Sequence, residues 1–152
     1  MKGWLLVITV IFCCACSGKP DEKAQTDAQM DDPKADLLGE WYNISLIIRM
    51  PDSTFHVPVG RWEEIMQMKP IRTVFKDDGT YYSEYRTLED SVFMTRTGTW
   101  DLRNDSIAWE SAGDTTMFYY KVMPDTITFV GFLDWDQDGQ EDDHYASRQV
   151  RK

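Results

Sequence analysis

The chain has 152 residues, 42% of them hydrophobic and 13% aromatic, and a formal charge of -10. A negative excess of that size excludes two grips that depend on clustered Lys and Arg, one on nucleic-acid phosphates and one on anionic lipid. Six Trp, seven Tyr and seven Phe exclude a disordered acidic chain, which is poor in aromatics.

The first element is a leader. Met1-Lys2-Gly3 is a short basic start, and Trp4 to Ala15 is an apolar run of twelve residues. Twelve suits a signal-peptide core and falls short of the roughly 20 residues a spanning helix needs. The run ends in Cys13-Cys14-Ala15-Cys16-Ser17-Gly18. This stretch resembles the lipobox of bacterial lipoproteins, with Cys13 where the family usually carries Leu. The resemblance implies a signal peptide over residues 1–15, cleavage before Cys16, a diacylglycerol on the Cys16 thiol and a fatty acyl chain such as palmitate on the new amino terminus. Two or more acyl chains hold a protein on a membrane stably, where one does so marginally. Loss of Lys2, the one charged residue of the leader, takes the mature charge to -11, and Cys16 is then the only cysteine, so no disulfide can form within the chain.

Residues 16–36 are polar and charged, with too little apolar surface to fold, and are expected to form a flexible acidic tether. Within them Lys19-Pro20-Asp21-Glu22 loosely resembles acidic export tags of Bacteroidetes surface lipoproteins. That resemblance implies a place in the cell envelope, on the periplasmic or surface face of the outer membrane, with the inner membrane left open; a plain solvated linker is the alternative.

From Leu37 the texture changes to successive strands. Trp41 to Met50 comes first, and Gly60 to Met68, bounded by Pro58 and Pro70, carries Trp62, Ile65 and Met66 at helical spacing. That segment is expected to be a short helix, either a lid over one barrel mouth or a plug in the core. Ile71 to Lys76 and Thr80 to Leu88 flank Asp78-Gly79, a strong hairpin signal. Ser91 to Leu102, the Ile107 and Trp109 run, Thr116 to Val122, Thr126 to Leu133 and His144 to Val150 follow, with turn residues between them. Eight short runs at even spacing predict an all-β fold: an eight-stranded antiparallel up-and-down barrel over residues 37–152, with a β-sandwich as the alternative. Closure removes the exposed strand edges that invite aggregation. About 115 residues suffice for such a core.

Gly39-Glu40-Trp41 looks like the Gly-x-Trp that opens lipocalin barrels. With Phe75-Lys76-Asp77-Asp78-Gly79-Thr80-Tyr81, Gly98-Thr99-Trp100 and Asp125-Thr126-Ile127-Thr128, it resembles the lipocalin-like domains of Bacteroidetes lipoproteins. The resemblance implies an internal site for a small, largely apolar ligand and a Trp41 packed across the closed end. Alternation turns Trp100, Trp109, Phe118, Tyr120 and Phe129 inward, and with Trp41 they form the candidate ligand-binding set. A two-residue Asp78-Gly79 turn would pair Phe75 with Tyr82, set Thr73 opposite Glu84 and Ile71 opposite Arg86, and so put Glu84 and Arg86 inside. A one-residue change of register turns both to solvent, and the cost of burying charge favours that outcome.

The acidic stretch Asp134-Trp135-Asp136-Gln137-Asp138-Gly139-Gln140-Glu141-Asp142-Asp143 is the sharpest chemical motif. Alternating Asp followed by Gly is the front half of an EF-hand type calcium loop: carboxylates point inward along a curling chain, and Gly permits the bend. Asp134, Asp136, Asp138, the Gln140 carbonyl, Asp142 and Asp143 are the candidate ligands of a structural Ca2+. The last EF-hand position falls on Tyr145, so the bidentate Glu is missing. A solvated acidic turn is the alternative.

His56 and His144 have no Cys partners for a transition metal. No nucleophile elbow, phosphate-binding glycine loop or zinc-protease motif occurs. The sequence therefore predicts a monomeric, non-enzymatic lipoprotein that binds a small molecule, or a structural lipoprotein whose filled barrel engages another envelope protein.

Overall fold

A computed structural model describes residues 33–152; the leader, Cys16 and the tether up to residue 32 lie outside the described residues. Asp90, Asn104 and Gly113 in the left-handed region mark where strands end, because Asp, Asn and Gly tolerate positive φ at small cost. Between such breaks run β1 (Gly39–Arg49), β2 (Thr54–Val57), α1 (Trp62–Met66), β3 (Arg72–Phe75), β4 (Thr80–Arg86), β5 (Val92–Arg103), β6 (Ser106–Ser111), β7 (Asp114–Met123), β8 (Thr126–Leu133) and β9 (Asp143–Arg151).

From β3 to β9 each strand pairs antiparallel with the next, and β1 closes the ring by pairing with both β9 and β3. This is the eight-stranded up-and-down barrel the sequence predicts, not a sandwich. β2 is an additional strand. It pairs with Leu46 to Arg49, the half of β1 that β3 does not reach. Four residues between Pro51 and Pro58 carry too little pattern to announce a strand. α1 packs Trp62 against Leu46, Ile48 and Val57, with Ile65 and Met66 beside it, so it covers the inward side chains of β1 and β2 where β3 is absent. The Trp62 indole N–H donates to the Lys69 carbonyl at 3.2 Å, and Lys69 N–H in turn donates to Arg86 of β4.

The β3–β4 register differs from the two-residue turn expected. Phe75 pairs with Tyr81, Thr73 with Ser83 and Arg72 with Glu84. Lys76 N–H donates to the Thr80 carbonyl and Gly79 takes φ +78°. The loop is therefore the three residues Asp77-Asp78-Gly79, a turn ending in a left-handed glycine bulge, and the extra residue shifts the ladder by one. Thr73, Phe75, Tyr81 and Ser83 face inward, and Glu84 stands on the outer wall with Arg72.

One end of the barrel is sealed. Leu37 is fully buried among Trp41, Phe75, Ile107 and Ile127. The Trp41 indole N–H donates to the Leu37 carbonyl at 2.7 Å, and the Arg151 guanidinium lies 4.4 Å over the Trp41 ring. Arg151 also donates to the carbonyls of Leu38 and Asp36, and Lys34 pairs with Asp101 of β5 at 2.6 Å. The last residues of the segment read as tether are thus a turn clasped to the barrel. At the other end β5 overhangs: Val92 to Gly98 pair with β4, whereas β6 joins only from Thr99 onward. The Ser111 hydroxyl donates to the Thr97 carbonyl, and the rest of that edge of β5 faces no strand.

Candidate functional site

The six aromatic residues singled out in the sequence come together inside the barrel. Trp41, Trp100, Phe118 and Phe129 are buried in one cluster, and Trp109 and Tyr120 pack against it. Trp109 is the hub, with ring centroids 5.1 Å from Phe118 and Phe129, 5.5 Å from Tyr81 and 5.6 Å from Phe75. Rings at these separations are in contact, so the sealed half is packed and forms an apolar floor. Trp100 satisfies its N–H on the carbonyls of Lys76 and Thr80. The buried Trp109 Nε1 has no hydrogen-bond partner.

Polar side chains also face the interior, beside this floor and beyond it. Asn43, Thr73, Ser83, Ser147 and Gln149 are all buried, and the Thr73 and Ser83 hydroxyls share a 2.9 Å hydrogen bond. Gln149 Oε1 is buried without a partner. Nearer the rim, Arg96 pairs with Ser83 and Met94 with Tyr85, which sets Arg96 and Met94 on the inward face of the overhanging wall. Burial pushes the Tyr85 phenol up, while the Arg96 charge beside it pulls the other way. On β9, Tyr145 packs against both core clusters, and burial pushes its phenol up to about 12. Alternation along Ser91 to Leu102 already places Arg96 on the same side as Met94 and Gly98; its charge hid it from a search for an apolar lining.

Glu84 and Arg86 take no part in this interior. They belong to an outer network in which Arg72 donates to Glu40, Glu84 and the Tyr82 hydroxyl, and Arg86 to Glu84 and Asp90. The Arg72 hydrogen bond holds the Glu40 carboxyl below its ordinary range, and Arg86 does the same for Glu84. An outer groove of about 600 Å³ runs beside them, but the Lys69, Arg72 and Arg86 cations that line it are already paired with carboxylates.

The acidic loop joins β8 to β9 at the same end as Arg96. The carboxylates of Asp134, Asp136 and Asp138 converge, each offering an oxygen within 4.8 Å of the others. Gly139 N–H donates to Asp134, Gln140 N–H to Asp138, and Asp138 N–H to Asp136, so the loop curls around its own side chains. Asp143 does different work. It is fully buried, and its Oδ2 accepts the N–H groups of Trp135 and Asp136 at 2.6 and 3.1 Å. Asp143 Oδ1 and Asp134 Oδ1 are buried with no partner. Asp142 lies outside the converging set. The Asp138 N–H favours a charged Asp136, yet burial and the neighbouring Asp138, Asp143 and Asp134 carboxylates outweigh it and push Asp136 up. Crowded carboxylates with orphaned buried oxygens fit a hard cation, which takes oxygen ligands.

No protein-family model matches the chain, and no curated protein matches it.

Proposed function

We propose that this chain is a lipoprotein of the cell envelope, anchored through Cys16 and placed on the outer membrane, whose barrel takes a small, largely apolar ligand through its open end. The observation that supports this most directly is a set of unsatisfied polar atoms inside the barrel. Trp109 Nε1, at the hub of the aromatic floor, and Gln149 Oε1 beside that floor are buried with no protein partner. Unpartnered buried polar atoms are costly, and a bound molecule that pairs with them removes the cost. The Asp134, Asp136 and Asp138 loop would bind a structural Ca2+ at the rim, with Asp143 fixing the loop backbone. The affinity expected is roughly 10⁻⁴–10⁻³ M, as in extracellular modules.

A second reading is carried by the outer wall. Met117 and Tyr119 of β7 and Phe132 of β8 are exposed large side chains on paired strands, with the Phe132 ring 5.6 Å from His144. A strip of this kind suits a protein partner in the envelope.

Native mass spectrometry of the purified protein separates these readings. A co-purified small molecule, an acyl mass on Cys16 and a calcium adduct lost to a chelator are the outcomes expected. A bare barrel that instead captures an envelope protein through Tyr119 and Phe132 would favour the second reading.

A further inference from the structure

We propose that the ligand of this barrel is an organic anion, a single carboxylate or sulfonate on a compact apolar body, and that Arg96 at the rim is its charge partner. The inference rests on the reading of the barrel as a binding protein and adds the charge and orientation of what it binds.

Arg61, Arg72, Arg86 and Arg103 each hold a carboxylate. Arg49, Arg96, Arg148 and Arg151 make no ion pair among the described residues; Arg49 meets His144, Arg151 donates to the Leu38 and Asp36 carbonyls, and Arg148 lies on the outer face, so Arg96 differs from them in facing inward without such a partner. Opposite Ser83, which is buried inside the barrel, it stands on the inward face of the overhanging wall, with its own side chain exposed.

Several groups near it are donors, while the Asp134, Asp136 and Asp138 carboxylates converge on one another in the loop at the same end of the barrel. Tyr85 is close enough for the Arg96 charge to act on its phenol, and Tyr145 in turn feels Tyr85. Both phenols stay protonated at neutral pH and can donate. Deeper in, the Trp109 N–H lacks an acceptor. The one carboxylate on the inward face of β9 at this end, Asp143, turns its Oδ2 to the backbone N–H groups of Trp135 and Asp136 and leaves Oδ1 without a partner. The mouth therefore presents a guanidinium and several O–H and N–H donors above a floor of aromatic rings. An anion with an apolar body satisfies both layers at once: the charged end stays at the rim and the body lies toward Trp109 and Tyr81.

The test uses two fluorescent probes of one skeleton, 8-anilinonaphthalene-1-sulfonate and its uncharged relative N-phenyl-1-naphthylamine, titrated into the purified full chain. The sulfonate should bind more tightly than the neutral probe. Arg96→Gln should weaken the sulfonate about tenfold or more and leave the neutral probe within about twofold, the size of effect expected for a charged hydrogen bond. Arg96→Lys should restore part of the difference, and Arg148→Gln, on the outer face of β9, should change neither probe. If Arg96→Gln alters both probes equally or neither, the anion inference is overturned while the binding reading stands. If the parent chain binds neither probe, both fall together.

Discussion

Phe75 is where a packed floor and an empty cup make different demands. Its ring is 1% exposed and sits 5.3 Å from Trp100, 5.6 Å from Trp109, 6.2 Å from Tyr81 and 6.3 Å from Phe129. Truncation to Ala removes a fully buried ring, with a transfer cost of about 1.5–3 kcal/mol. The hole it leaves, on the order of 80–100 Å³, adds about 2 kcal/mol at roughly 24 cal/mol per Å³. Rings locked on four sides cannot collapse into that space, so the two parts should sum to about 3–5 kcal/mol. For a domain whose whole stability is of order 5–15 kcal/mol, that is a large share. Urea unfolding followed by tryptophan fluorescence should show the midpoint falling by about 2 M at an m-value near 2 kcal/mol per M, with m unchanged. Phe75→Leu should recover much of the loss. A cost under about 1.5 kcal/mol for the Ala variant would refute the packed floor, because a side chain lining an open cavity has little packing to lose.

Three further perturbations follow from other parts of the barrel. A Cβ built on Gly98 would lie 1.9 Å from the Glu110 carbonyl oxygen and 2.9 Å from the Tyr81 ring, so Gly98→Ala should destabilise by about 1–3 kcal/mol in the same assay, and a variant as stable as the parent would show that β5 and β6 are not in this close approach. Calcium at 10 mM should raise the melting temperature by the equivalent of about 1.4–2.7 kcal/mol, magnesium much less; Asp136→Asn should abolish that gain yet slightly stabilise the calcium-free protein by relieving carboxylate repulsion, and an equal response of parent and variant to calcium would remove Asp136 from the site. In the outer network, Glu40 and Glu84 titrate below their ordinary 4.5 when folded, so their contribution is present above about pH 4.5 and is lost as pH falls through the folded values. Melting curves from pH 6 to 2 should therefore fall less steeply for the Glu40→Gln, Glu84→Gln double variant than for the parent; parallel curves would mean that Arg72 and Arg86 hold these carboxylates no better than water does.

Strand alternation made most of this architecture legible. Trp100, Trp109, Phe118, Tyr120 and Phe129 could be assigned to one interior because a pleated strand sends every second side chain the same way. The Asp77-Asp78-Gly79 loop was legible as a turn but not as to its length, since Asp-Gly serves both two-residue and three-residue hairpins. That single residue decided whether Glu84 or Ser83 faced inward. β2 escaped notice because its four residues take their order from β1 and not from their own pattern. The acidic loop announced its three converging carboxylates, Asp134, Asp136 and Asp138, through their spacing. The backbone role of Asp143 depends on where β9 begins, which spacing alone does not state.

Under the proposed anchoring through Cys16, the clasp at the sealed end would decide how the barrel carries force. Tension arriving along the chain meets Lys34, Asp36 and Leu38 first, and these are held to β5 and β9 through Asp101 and Arg151. β1 starts at this end and runs to the other, flanked by β9 along almost all of its length. A pull directed along the barrel axis would load those hydrogen bonds in parallel, so that they resist together and do not open one after another like a zipper. The rim that carries Arg96 and the acidic loop lies at the far end of the load path, where strain on the anchor would leave it undisturbed.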